Sequence, residues 1–180
     1  TIHVEALQMK KQLAEEKAII HPYYWGGLVH NNVDQLATLA EADVVGFKAF
    51  LSNSGFEPFS SVQNESLFKG MQEIARLQKI LALHAESDEL TTFLQQQKIK
   101  EGATTAQDYS ASRPILAEVE AVKRALYYAQ LTGCALHFVH ISSAEAVACI
   151  QKAKKQGLDV SLVTCPHYLL LNGTAYGQHG

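Results

Sequence analysis

Apolar and polar positions follow two rhythms that take turns along the chain. Stretches with apolar residues every three to four positions predict helices, and short, nearly continuous apolar runs predict buried strands. Thr1 to Lys17 predicts a helix, and Ala18-Ile19-Ile20 a first short strand. Asn31 to Ala42 predicts the next helix, followed by strand Val44 to Phe50. Helix Asn64 to Gln78 carries Leu67, Met71, Ile74 and Ala75 on one face, and strand Ile80 to His84 comes after it.

Asp88 to Lys98 then predicts a helix within a longer insertion that includes Gly102-Ala103-Thr104-Thr105. The longest helix is expected to open at Ser112-Arg113-Pro114, with Ser112 as cap, and to stop at Gly133. Its expected buried stripe is Ile115, Val119, Val122, Leu126 and Ala129. Strand Ala135 to Ile141, helix Ser143 to Gln156 and strand Leu158 to Thr164 complete the regular part. Ser142 and Glu145 stand at capping-box spacing before the last helix, and Gly157 after it.

Five strands alternating with helices imply a parallel α/β sheet with right-handed crossovers. Two architectures fit, a (β/α) barrel or an open doubly wound sheet. No Gly-rich phosphate loop follows any strand, which counts against a dinucleotide-binding version of the second. A full TIM-type barrel takes about 250 residues. At 180 residues, the chain is expected to be an incomplete barrel and a single unit from 1 to 180.

Composition narrows the class further. The chain is 47% hydrophobic and 18% charged, which suits a globular unit with a real core. Net charge is −3 and the 15 basic residues form no block, so neither nucleic acid nor an anionic membrane is an expected partner. No apolar run approaches the roughly 18 to 20 residues of a membrane helix, and no signal-peptide pattern opens the chain. Cys134, Cys149 and Cys165 are odd in number and scattered, as reduced thiols of a cytoplasmic protein would be. Cys165-Pro166-His167 lacks the paired spacing of a structural zinc site.

Three polar residues stand out. Lys48, His84 and His140 each sit near the C-terminal end of an apolar strand. Alternation puts Val44 and Gly46 on the face of Lys48, Ile80 and Ala82 on that of His84, and Leu136 and Phe138 on that of His140. His137 is then out of phase and is expected to face the helices. A barrel builds chemistry at this C-terminal rim. A lysine inside Val-Val-Gly-Phe-Lys-Ala-Phe either loses its proton and reacts with carbon dioxide to give a metal-bridging carbamate, or snorkels outward or pairs with Glu86. Two imidazoles and a carboxylate-like oxygen suit Zn²⁺. His21 and His167 are secondary rim candidates, and His3, His30 and His179 are expected at the surface. Arg113 reads either as a substrate clamp or as an ion-pair anchor for the long helix.

These segments resemble the cyclic amidohydrolases, the family of allantoinases, hydantoinases and dihydroorotases. The resemblance rests on Gly46-Phe47-Lys48-Ala49-Phe50, Leu83-His84-Ala85-Glu86 and His137-Phe138-Val139-His140-Ile141-Ser142-Ser143. Trp25-Gly26-Gly27, Asp108-Tyr109, Ser112-Arg113-Pro114, Glu118-Val119-Glu120-Ala121 and Cys165-Pro166-His167-Tyr168 match as well, in the family's order. The allantoinase branch fits best over Lys48 to Gly55 and Gly133 to His137. A hydantoinase would carry tyrosine where Asn53 stands. His21-Pro22-Tyr23-Tyr24 departs from the pattern, which usually has an acidic residue before Trp-Gly-Gly.

The resemblance implies metal ligands Lys48, His84 and His140, with two Zn²⁺ per full-length subunit bridged by carboxylated Lys48. It implies hydrolysis of the cyclic amide of allantoin to allantoate by a metal-bound hydroxide, in purine and ureide nitrogen catabolism. Asn53 and Thr174 are expected substrate contacts, and a homo-oligomer is expected. The family's His-x-His strand and its strand-end aspartate are expected to lie outside Thr1 to Gly180, leaving this piece inactive by itself. Alternatives are a dihydroorotase- or hydantoinase-type enzyme, or a non-catalytic scaffold of the same fold.

Overall fold

The computed structural model describes residues 1–171. Five strands form one sheet: β1 (Tyr24–Gly27), β2 (Val44–Phe50), β3 (Ile80–His84), β4 (Ala135–Phe138) and β5 (Val160–Leu162). They lie in the order β1-β2-β3-β4-β5, every pair parallel. A doubly wound sheet reverses its strand order at a switch point. This one never reverses. The arrangement is the arc of a (β/α) barrel, wound in one direction and incomplete.

The helices are α1 (Val4–Lys17), α2 (Leu36–Glu41), α3 (Asn64–Arg76), α4 (Asp88–Lys100), α5 (Ala106–Ala111), α6 (Ile115–Thr132), α7 (Ala144–Lys155) and α8 (Pro166–Leu170). Helices α2, α3, α6 and α7 pack against β2, β3, β4 and β5. The core lies between them and the sheet. Phe47, Ala49, Leu81, Leu83, Leu136 and Phe138 point into it from three strands and are fully buried, as are Leu67, Met71 and Ile74 of α3. Each large member contributes about 1.5–3 kcal/mol through removal from water. Cys134 is buried in the same core at the start of β4.

Several boundaries differ from expectation, each for a physical reason. Ala18-Ile19-Ile20 forms no strand, and Ile19 is fully exposed. Trp25-Gly26-Gly27 supplies that edge instead, because close approach to β2 there requires glycine. A Cβ on Gly26 would stand 2.8 Å from the Phe47 ring. Pairing runs from Tyr24 opposite Val44 to Trp25 opposite Gly46, so Val45 is an extra residue. That bulge puts Val44 in the helix-side core, apart from Lys48.

Ser112 closes α5 and does not open α6; its hydroxyl donates to Tyr109 O at 2.6 Å. The cap position of α6 is Pro114. The buried stripe of α6 runs through Ala117, Ala121, Val122, Ala125, Leu126 and Ala129, while Ile115 is exposed. Small alanines let α6 lie close to its neighbours. Gly133 ends the helix at φ 72°, as its left-handed tolerance allows.

Replacing Gly26 by alanine is expected to destabilise the fold by about 1–3 kcal/mol through overpacking against Phe47. Urea unfolding checks this, and an unchanged midpoint would show that the sheet has slack there.

Candidate metal centre

Strand register decides which side chains share the face away from the helices. Gly27, Lys48, Ala82, His137 and Ser161 form one row across the sheet, and Phe50 and His84 are paired one step nearer the C-terminal ends. Ala82 is the only side chain between Lys48 and His137 in that row, and it is a methyl group. Phe50 stacks on His84 with ring centres 5.4 Å apart.

His84 and His140 meet. His84 Nδ1 lies 2.9 Å from His140 Nε2, with ring centres 4.6 Å apart. Simple alternation predicts this convergence for the wrong reason. Strand β4 ends at Phe138, and Leu136 and Phe138 both face the helices. His140 reaches the opposite face because its backbone turns to φ 44°, the left-handed region. The expectation for His137 is corrected by the same register. It faces away from the helices, in the row of Lys48, with Nδ1 2.8 Å from Ser161 Oγ.

Lys48 carries its ammonium nitrogen buried, with no hydrogen-bond partner among the described residues. It stands over the Phe50 ring, 4.9 Å from the ring centre. Burial pushes the amine down to about 8 from the usual lysine value. The anticipated pairing with Glu86 does not form. Burial also pulls the His140 imidazole below its ordinary value, helped by His84 and Lys48 and opposed by its backbone carbonyl and Glu118. His137 is lowered by burial and by Lys48. Burial therefore lowers the basicity of Lys48, His137 and His140, which makes a nitrogen lone pair easier to free there.

Around this core stand two carboxylates. Glu86 accepts from Arg113 at 2.8 Å and from the Ser52 hydroxyl at 3.4 Å, and lies 3.7 Å from His84 Nε2. Burial raises the Glu86 carboxyl, but His84 and Arg113 together outweigh it and hold the group below its usual range. Arg113 thus takes the ion-pair role and helps line a cavity of about 150 Å³ together with His84, His140 and Tyr168. Glu118 receives the backbone beyond His140, with Ser142 N donating at 2.8 Å and Ser143 N at 2.9 Å. Ser143, one residue after the expected cap, is the N-cap of α7 and accepts from Ala146 N. Neither carboxylate role was readable from spacing, because each partner comes from another element.

Asn53 is exposed, its carbonyl oxygen accepting from Gly55 N at 2.8 Å. Thr174 and His179 lie outside the described residues. His21 is not at the rim. It precedes β1 and lines a separate cavity of about 430 Å³ with Asp43, at the N-terminal end of the sheet. His167 lies in α8, beyond β5. His3 caps α1, and His30 pairs with Ser60 at the surface.

The dihydro-orotase-like family model matches residues 3–146. The chain belongs to that family. Among curated proteins, this dihydro-orotase-like chain is 51% identical over 172 residues to an allantoinase of Bacillus velezensis, covering 96% of the chain and 38% of the relative. An allantoinase of Deinococcus radiodurans is 46% identical over 169 residues (94% and 38%), and one of Escherichia coli 38% over 184 residues (100% and 41%). Among solved structures, an L-hydantoinase (dihydropyrimidinase) from Arthrobacter aurescens superposes with a TM-score of 0.94 at 30% identity, covering 99% of this chain and 40% of that one. A D-hydantoinase from Thermus sp. gives 0.87 at 26% identity, covering 98% and 38%. The chain therefore spans about two fifths of the length of the curated relatives it matches.

The residues present fit a metal. No group of three His, Cys, Asp or Glu side chains suited to a metal ion occurs among the described residues. Two imidazoles and a lysine do, and lysine enters such a set only after losing its proton. The orphaned Nζ is the donor that this dihydro-orotase-like sheet leaves unsatisfied.

Lys48→Met is expected to stabilise the metal-free chain near pH 7 by about 1–3 kcal/mol, because it removes a buried, unpaired ammonium. The sign follows from linkage. The folded value of about 8 lies below the unfolded one, so the folded state is penalised in full below pH 8. The penalty fades as pH rises from about 8 toward the unfolded lysine value near 10.4. Thermal melts across this range should show the difference between variant and wild type shrinking. A constant difference would mean that the Lys48 amine keeps its ordinary basicity in the folded chain.

Proposed function

We propose that the full-length protein is a zinc-dependent cyclic amidohydrolase that opens the ring of allantoin to allantoate, in purine and ureide nitrogen catabolism. One observation carries the reading: two imidazole nitrogens 2.9 Å apart share a rim with a buried, partnerless lysine amine. The allantoinase names of the relatives support the choice of substrate.

Lys48, His84 and His140 would hold the metal, with two Zn²⁺ per subunit bridged by carboxylated Lys48. The metal pair supplies, when bound, Lewis acidity that polarises a carbonyl and acidifies water. The chain's own residues do the rest. Depressed basicity frees the Lys48 lone pair to attack carbon dioxide, forming an N–C bond while the amine proton passes to solvent. A cation becomes an anion, and the orphaned nitrogen gains oxygen atoms that can reach outward. His84 and His140 present lone pairs at Nδ1 and Nε2. Glu86, locked by Arg113, lies beside His84 Nε2 and favours the tautomer that leaves Nδ1 free. Phe50 stacks on His84 and keeps water from that side of the ring.

Asn53, through its free amide NH₂, and Thr174 are proposed substrate contacts. The reading also needs a His-x-His strand and a proton-handling aspartate from outside Thr1 to Gly180. It treats the protein as cytoplasmic, supported by three free thiols, and as a homo-oligomer, supported by exposed Leu116, Tyr127 and Leu131 on α6.

Assays of the full-length enzyme with allantoin, dihydroorotate and hydantoin test the proposal, and allantoin should be turned over fastest. Lys48→Ala should lower turnover by more than the roughly 100-fold that losses beyond the ligand shell reach, and should abolish the carbamate carbon signal seen with ¹³C-bicarbonate. An active, fully metallated Lys48→Ala enzyme would overturn the carbamate assignment. The 180-residue chain alone should show no turnover.

A further inference from the structure

His140 is held at φ 44°, a conformation that L-residues leave unless their surroundings prevent it. Just beyond it, one carboxylate takes hold of two consecutive residues. Glu118, in the first turn of α6, accepts through Oε1 from Ser142 N at 2.8 Å and Ser142 Oγ at 2.9 Å. Its Oε2 accepts from Ser143 N at 2.9 Å and from Ser143 Oγ at 2.5 Å. Between His140 and this clamp, Ile141 is buried and also fastened. Its N–H donates to Val163 O at 2.9 Å, and its carbonyl accepts from Thr164 Oγ1 at 2.7 Å. The backbone after His140 has no slack through which the left-handed turn could relax.

Resting on the reading of His140 as a zinc ligand, we propose that Glu118 is a positioning residue for it. The clamp on Ser142 and Ser143 keeps His140 turned so that Nε2 meets His84 Nδ1. The competing role is a plain cap, a carboxylate placed near the start of α7 for its dipole. A cap explains one or two N–H bonds. Engagement of both oxygens, each twice, by the residues two and three positions beyond the strained one is what a clamp requires.

Glu118→Gln in the full-length protein keeps one acceptor oxygen but turns an NH₂ toward the Ser142 or Ser143 donors, breaking half the clamp at nearly constant shape. Glu118→Asp keeps both oxygens one methylene shorter. Three readouts apply: zinc affinity by chelator competition, the visible spectrum of the cobalt-substituted protein, and the ring-to-ring NOE between His84 and His140 in metal-free protein. The expected result for Glu118→Gln is a loss of zinc affinity of about 10- to 100-fold, a changed cobalt spectrum and a lost NOE, with partial rescue by Glu118→Asp. Wild-type zinc affinity with an unchanged cobalt spectrum in Glu118→Gln would reduce Glu118 to a cap and overturn the proposal. Should wild type itself hold no zinc through His140, the metal reading fails and the NOE alone decides. Present in wild type and lost in Glu118→Gln supports the clamp; the same in both overturns it.

Discussion

Parallel register between β2 and β3 is the constraint from which the rest follows. It sets Phe50 against His84 and Lys48 against Ala82. With Leu81, Leu83, Phe47 and Ala49 buried in the helix-side core, the alternate residues have nowhere to go but the other face. A slip of one residue would bury a lysine and an imidazole among leucines and expose four apolar side chains. The same packing that stabilises the sheet thus aims its polar groups. The register that continues into β4 brings in His137, not His140.

His140 arrives by another route. Its position depends on a strand that stops early, a left-handed residue and a fastened loop. These are tertiary facts, and they explain where reading the chain succeeded and failed. Strands β2 and β3 were legible to the residue, because their apolar runs are continuous and their polar ends abrupt. Lys48, His84 and His140 stood out as candidates for a related reason, since a charged or titratable group near the end of such a run has to be accounted for. The first strand was misplaced because Ile19 and Ile20 look more strand-like than Trp25-Gly26-Gly27. What matters there is how near two backbones can come, and that depends on Phe47 across the gap. The shifted stripe of α6 and the displaced cap of α7 fail similarly. Alanines carry weak hydrophobic signal yet form the buried face, and Ser142 was engaged by a glutamate 24 residues upstream.

Electrostatically, the rim holds two opposite solutions to burial. Glu86 remains ionised because a guanidinium, a hydroxyl and an imidazole surround it. Lys48 has no such company, and burial alone shifts it. A folded chain seldom tolerates the second state without compensation. Carbon dioxide and metal would turn this local cost into binding energy, which makes the least satisfied atom of the site its most informative one.

Cys134 shows what the core does to a reactive group that has no task. Burial pushes its thiol up to about 12, so at neutral pH almost no thiolate exists to attack an electrophile. Cys149 and Cys165 are less enclosed. Peroxide or an alkylating reagent would therefore mark those two first, and oxidative wear would spare the strand leading to His137.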